Sequence, residues 1–206
     1  MDREQDDKVM GARMLAVAEA REASATSGEG PDGQIAAAIA AGELREAIGL
    51  SARHHGAAIG RLCMAMVGSQ AEASELAQET LVTAFEAFRS YRGEGSVRAF
   101  LFGIARRVCS RHIELRTRRD ARLRLVHAAG HEGSDSAELA ARRQAAERAR
   151  QALDQLRPTE RDAVLLRFGG ELSFKEVADA CGIDEPTARK RVSRALARLR
   201  DTVGVE

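Results

Sequence analysis

Apolar residues recur three and four positions apart along most of this chain and almost nowhere alternate, so the pattern predicts helices and no sheet. Helical patterning starts near Gln34 and runs to about Leu125. Its breaks fall near Gly56, at Gly68-Ser69 and at "YRGEGS", Tyr91 to Ser96. Ile59, Leu62, Cys63 and Met66 form one stripe, with Gly68 placed to end the helix. Leu76, Leu81, Ala84, Phe85 and Phe88 form a second, and Phe100, Leu101, Ile104, Val108 and His112 a third. Residues 34–125 therefore read as a bundle of three or four helices. "HAAGHEGSDS", His127 to Ser136, breaks the pattern and reads as a flexible linker over 126–136.

Asp135 and Glu138 have capping-box spacing and precede an Ala/Arg-rich helix to about Leu156. Thr159, after Pro158, opens another helix, and Ser173 with Glu176 forms an S-x-x-E capping box before a third. Asp184, with Pro186 in the first turn, opens the last. Residues 137–206 make a second helical domain. Residues 1–33 end in "SATSGEGPDG" and read as an acidic, mobile extension. The expected fold is all-α: two small helical domains joined by a flexible linker.

Composition agrees, with no Trp and one Tyr among 206 residues. Cys63, Cys109 and Cys181 stand far apart in apolar helical patterns. That implies reduced, buried thiols in a cytoplasmic protein, not a metal site or a disulfide frame. No run is long enough to span a bilayer, and the acidic N-terminus lacks the apolar core of a signal peptide. Direct membrane insertion is not expected.

The formal net charge of +1 hides strong segregation. Met1 to Gly49 holds ten acidic and five basic residues, whereas Arg89 to Arg124 holds eleven basic and three acidic. Thr187 to Arg200 holds six basic residues and no acidic one. Such clustering fits an anionic partner. In the last helix Ala188, Val192, Ala195, Leu196 and Leu199 form the inward stripe, leaving Arg189, Lys190, Ser193 and Arg194 outward near its start. With Gly182 at the turn before it, this is a helix-turn-helix whose second helix can enter a DNA major groove. Thr187, Arg189, Lys190, Ser193 and Arg194 are the candidate readers, while Arg198 and Arg200 hold phosphates or solvate the helix.

Enzyme readings lack parts. His54 and His55 are adjacent and cannot share one helix face as metal ligands would, and no phosphate-binding glycine loop or nucleophile motif occurs. No catalytic residue, metal, cofactor or small-molecule substrate is expected.

Two blocks carry a family resemblance. "LDQLRPTERDAVLLRFGGELSFKEVADACGIDEPTARKRVSRALARLR", Leu153 to Arg200, resembles the fourth conserved region of bacterial sigma factors. "AEASELAQETLVTAFEAFRSYRGEGSVRAFLFGIARRVCSRHIELRTRR", Ala71 to Arg119, resembles the second region. In family order and with a short connection, they are similar to the minimal, extracytoplasmic-function type of the sigma-70 family. The resemblance implies that Glu75, Leu76, Gln78 and Glu79 lie on the helix that docks on core RNA polymerase. Ser74 departs from the acidic residue common there, and Arg107 from the common Asn. It implies that Tyr91, Arg92, Arg98, Arg106 and Arg107 serve the downstream promoter element and its melting, and that Thr187 to Arg194 read the upstream element. An anti-sigma partner is implied as well. Two other functions are weighed against this one: a stand-alone helix-turn-helix regulator that binds duplex DNA without polymerase, and a helical adaptor making protein contacts only.

Overall fold

The computed structural model describes residues 30–123 and 147–203, and the described residues form helices only. In chain order these are α1 (Pro31–Ala40), α2 (Leu44–Val67), α3 (Gln70–Ala87), a 3-10 turn (Phe88–Ser90) and α4 (Val97–Leu123). There follow α5, described over 147–154, then α6 (Pro158–Val164), a π-helical turn (Leu165–Gly169), α7 (Phe174–Cys181) and α8 (Glu185–Val203). The residues expected to form the linker, the Asp135–Glu138 cap and most of the acidic extension lie outside the described residues.

The helix ends follow from local chemistry. Ser69 accepts from the Glu72 amide at the start of α3. Ser173 and Glu176 make a reciprocal capping box on α7, and the Asp184 carboxylate accepts from the Thr187 amide at 2.6 Å to open α8. Gly68 and Gly182 end α2 and α7 in the left-handed region, at φ 77° and 66°, where a side chain is disfavoured.

Two expectations fail here. Gly56 does not break α2, which runs unbroken from Leu44 to Val67. A helical glycine costs about 1 kcal/mol relative to Ala, less than is gained by burying Ile59, Leu62, Cys63, Met66 and Val67 on one side. The chain is also ordered earlier than Gln34, because Pro31 at the first helical position opens α1.

That earlier start brings in Asp32. One of its carboxylate oxygens contacts His55 Nε2 at 2.8 Å, and the other accepts from the Arg98 backbone N–H at 3.2 Å. The first turn of α4 has no acidic residue of its own, so α1 supplies one to an orphan amide. Burial opposes the charge on Asp32, but the His55 hydrogen bond and the Arg98 amide outweigh it and hold the carboxyl below its ordinary range. The sign follows. A depressed folded value contributes stability that is present above the unfolded value of about 3.9 and lost as pH falls through the folded one. Asp32→Asn is expected to cost about 1–3 kcal/mol at neutral pH, the range for a hydrogen bond to a charged group plus a cap. It should also flatten the acid limb of stability below about pH 4. Urea unfolding of the two proteins across that limb is the check, and parallel pH profiles would exclude this role.

The core is one cluster, not two. Ile59, Leu62, Leu101, Phe102 and Ile104 from the first half are continuous with Leu166, Leu172, Val177 and Val192 from the second. The two helical domains are thus packed on each other. α4 lies along α7, and the π-helical turn lies against α2. The three cysteines are free thiols, Cys63 and Cys109 buried and Cys181 half-buried.

Candidate nucleic-acid interface

The helix-turn-helix is built as its stripe predicts. Ala188, Val192 and Ala195 are buried, with Leu196 and Leu199 packed at the margin. Arg189, Lys190, Ser193 and Arg194 are exposed and Thr187 is half-buried. These five sit on the outward side of the first half of α8, where side chains of a recognition helix meet base edges. Arg198 is placed differently from the expectation. Its Nη1 lies 3.0 Å from Oε2 of Glu160, a carboxylate that is 3% exposed. Arg198 therefore compensates a buried charge within the fold, and of the two late arginines only Arg200 is exposed.

On α3 the polymerase candidates divide by burial. Leu76 is buried in the core, and Glu75, Gln78 and Glu79 are exposed. Val82 is 62% exposed, three residues beyond Glu79 and four beyond Gln78, so it continues their face. Sequence reasoning missed Val82. Its one signal was an apolar residue out of phase with the inward stripe of Leu76, Ala84 and Phe88.

The downstream candidates are not gathered on one open surface. Arg92 and Arg107 are exposed, while Tyr91, Arg98 and Arg106 are half-buried. Tyr91 packs on Phe100 at a ring-centroid distance of 5.0 Å and donates from its hydroxyl to the Gly95 carbonyl at 3.0 Å. Here it fixes the loop, and its ring is partly taken up by packing. Arg98 donates to the Gly170 carbonyl in the other half at 2.8 Å. Arg106 pairs with Asp162 of α6 at 3.0 Å, where burial pushes the Asp162 carboxyl above its ordinary range in spite of that arginine.

Further links join the halves. Ser96 caps α4 by accepting from the Ala99 amide at 3.0 Å, and its hydroxyl donates to Glu176 Oε1 at the same distance. The other oxygen of Glu176 accepts from the Ser173 amide at 2.9 Å. One carboxylate thus ties the N-terminus of α7 to that of α4. At the far end, the C-terminal carbonyls of α2 receive arginines. Arg161 donates to Met66 at 2.9 Å and Arg150 to Gly68 at 3.3 Å, both from the second half. Cations at a helix C-terminus oppose its partial negative charge.

These features define a two-part, all-helical protein with an outward basic recognition helix and a second basic helix partly closed over by its own C-terminal half. Comparison with known proteins gives the family. A model described as "Sigma-70 region 2" matches residues 52–119, and one described as "Sigma-70, region 4" matches 146–199. The two matches together take in more than half of the chain, which belongs to the sigma-70 family. It is 30% identical over 164 residues to the ECF RNA polymerase sigma factor SigG of Mycobacterium tuberculosis, over 66% of this chain and 43% of that protein. The chain thus spans less than half the length of the curated relatives it matches. Two solved structures share the fold. One is CnrH in complex with the cytosolic domain of CnrY, with a TM-score of 0.62 and 22% identity, covering 86% of this chain and 99% of that one. The other is the sigma factor RpoE in complex with the anti-sigma factor NepR from Bartonella quintana, with a TM-score of 0.57 and 24% identity, covering 76% and 96%.

Proposed function

We propose that this protein is a transcription initiation factor that binds core RNA polymerase, recognises the two promoter elements and assists melting. The observation that carries the reading is the coexistence of two exposed surfaces, one within each of the two matched family regions. One is the Glu75, Gln78, Glu79 and Val82 face of α3, and the other is the basic outward face of α8. A protein that only bound duplex DNA would need the second and have no use for the first. Here Glu79 and Gln78 meet a basic surface of the polymerase while Val82 supplies an apolar contact beside them. Thr187, Arg189, Lys190, Ser193 and Arg194 read the upstream element as duplex. Arg92, Arg98, Arg106 and Arg107 hold the phosphates of the downstream strand once it is opened.

Melting needs no covalent step. Phosphate and base contacts to the open strand offset an unpairing cost of a few kcal/mol per flipped base. The packed arrangement suits a resting state, since Arg98 and Arg106 spend their donors on the second half. A partner that bridges both halves would hold that state, and an anti-sigma factor is the kind that fits. No helix among the described residues is long and apolar enough to cross a membrane, in keeping with a cytoplasmic site of action.

Run-off transcription with purified core polymerase, on a template carrying the DNA upstream of the protein's own gene, is the test. A discrete transcript that depends on the added chain is expected. Duplex binding without association with core would instead favour the stand-alone regulator.

A further inference from the structure

Arg189 does not simply project into solvent. Its Nε and Nη2 donate to Oε1 of Glu185, one turn earlier, at 3.0 and 2.5 Å. Its guanidinium carbon lies over the ring of Phe174, 4.4 Å from the centroid. Phe174 is the first residue of α7, directly after the Ser173 cap. The same ring carries a second guanidinium, that of Arg167, at 4.6 Å. Arg167 is 8% exposed and donates to the Leu172 carbonyl at 2.6 Å. The ring therefore rests on a buried strut and offers a fixed platform to Arg189, whose side chain remains 58% exposed.

A planar guanidinium stacked on an aromatic ring is held in one plane, and a carboxylate on its Nε edge fixes its rotation in that plane. Glu185 accepts from Nε and Nη2, so Nη1 and the outer hydrogen of Nη2 remain for a partner. That pair of donors matches the two acceptors on a guanine edge in the major groove. Lys190 and Arg194, one and five residues on, have no comparable aromatic platform among the described contacts.

We propose that Phe174 and Glu185 are positioning residues that hold Arg189 for base readout, and so set the sequence preference at the base pair Arg189 faces. This rests on the reading of α8 as the helix that enters the upstream duplex. Preorganisation is the physical gain: an arginine already held in its binding geometry loses less rotamer freedom on contact and accepts fewer alternative partners. Glu185 acts in the opposite sense on overall affinity, because its negative charge opposes phosphates. The device exchanges general attraction for selectivity.

The test uses the full chain and a library of duplexes randomised over their central positions. The preferred duplex is then titrated beside its single-base variants. Arg189→Ala is expected to abolish preference at one position. Phe174→Leu should reduce discrimination at that same position by about five- to tenfold, within the range carried by one bidentate contact, and leave the salt dependence unchanged. Phe174→Tyr should restore it. Glu185→Ala, at a half-buried position in the first turn of α8, should also lower discrimination while raising affinity for all duplexes. In the Arg189→Ala background, Phe174→Leu should add nothing. If it still weakens every duplex there, Phe174 serves only the fold and the proposal is overturned. A full chain that selects no duplex at all would instead remove the reading of α8 beneath it.

Discussion

Gln78→Ala combined with Glu79→Lys should reduce association with core polymerase by about a hundredfold or more, and leave duplex binding by the same protein unchanged. Both side chains are exposed on α3, and neither has a hydrogen bond or ion pair among the described contacts. Their replacement should therefore shift folding stability by no more than about 0.5 kcal/mol. A large loss of core binding would have to come from the interface itself. Central interface residues cost about 2 kcal/mol or more when removed, and a reversed charge facing a basic partner adds repulsion. Val82→Ser is the companion variant. It keeps the charge and removes the apolar contact, so its effect should be insensitive to salt, whereas that of the double mutant should shrink as salt rises. A pull-down of core polymerase beside a duplex titration reads both. A double mutant that binds core and initiates normally would remove α3 from the interface, and with it the main reason to prefer a sigma factor over a regulator.

What could be read in advance divides along a physical line. Stripes and caps are local, and they were legible. The Ser173–Glu176 box, Asp184 with Pro186, Gly68 and the inward face of α8 all depend on residues within a few positions of each other. The order of the two family blocks pointed to the right family for the same reason. The exception among local signals, Gly56, shows how burial overrides a propensity of about 1 kcal/mol. Long-range pairings were not legible. Nothing in "GPDG" announces that Asp32 will cap a helix beginning at Val97, because a lone acidic residue in a Gly/Pro-rich stretch is indistinguishable from a solvated one. Arg98 and Arg106 count among the eleven basic residues of Arg89 to Arg124, and charge counting along a chain cannot see an Asp162 or a Gly170 carbonyl brought up from the other half. The Arg167, Phe174 and Arg189 stack escaped for a related reason: its three members come from three consecutive elements whose relative placement only the fold defines.

The closed arrangement yields the second large effect. Gly103→Leu should separate the halves and raise affinity for a single-stranded downstream element by about tenfold or more. Gly103 lies on α4 where α7 crosses it. A Cβ added there would sit 3.1 Å from the Ala180 carbonyl oxygen and 3.4 Å from its Cα. Those are backbone atoms, so no side-chain rotation relieves the contact, and a leucine needs far more room than one methyl group. Within α4 itself the change is favourable, because leucine is a better helix former than glycine by somewhat under about 1 kcal/mol. The strain falls on the contact between the halves. Asp162→Ala approaches the same point from the other side and leaves every residue of α4 intact. It removes the carboxylate that holds Arg106 and releases that guanidinium to a phosphate. Breaking a paired, partly buried charge is expected to cost the closed state a few kcal/mol, and about 1.4 kcal/mol is already a tenfold shift toward the open one. X-ray scattering of the purified chain should show a larger radius of gyration for Gly103→Leu, and titration with a labelled single strand should show tighter binding for both variants. The direction separates this idea from a simple loss of fold: a damaged protein would bind the strand less well. If both variants keep the parent's scattering profile and its single-strand affinity, contact between the halves does not limit access to Arg98 and Arg106.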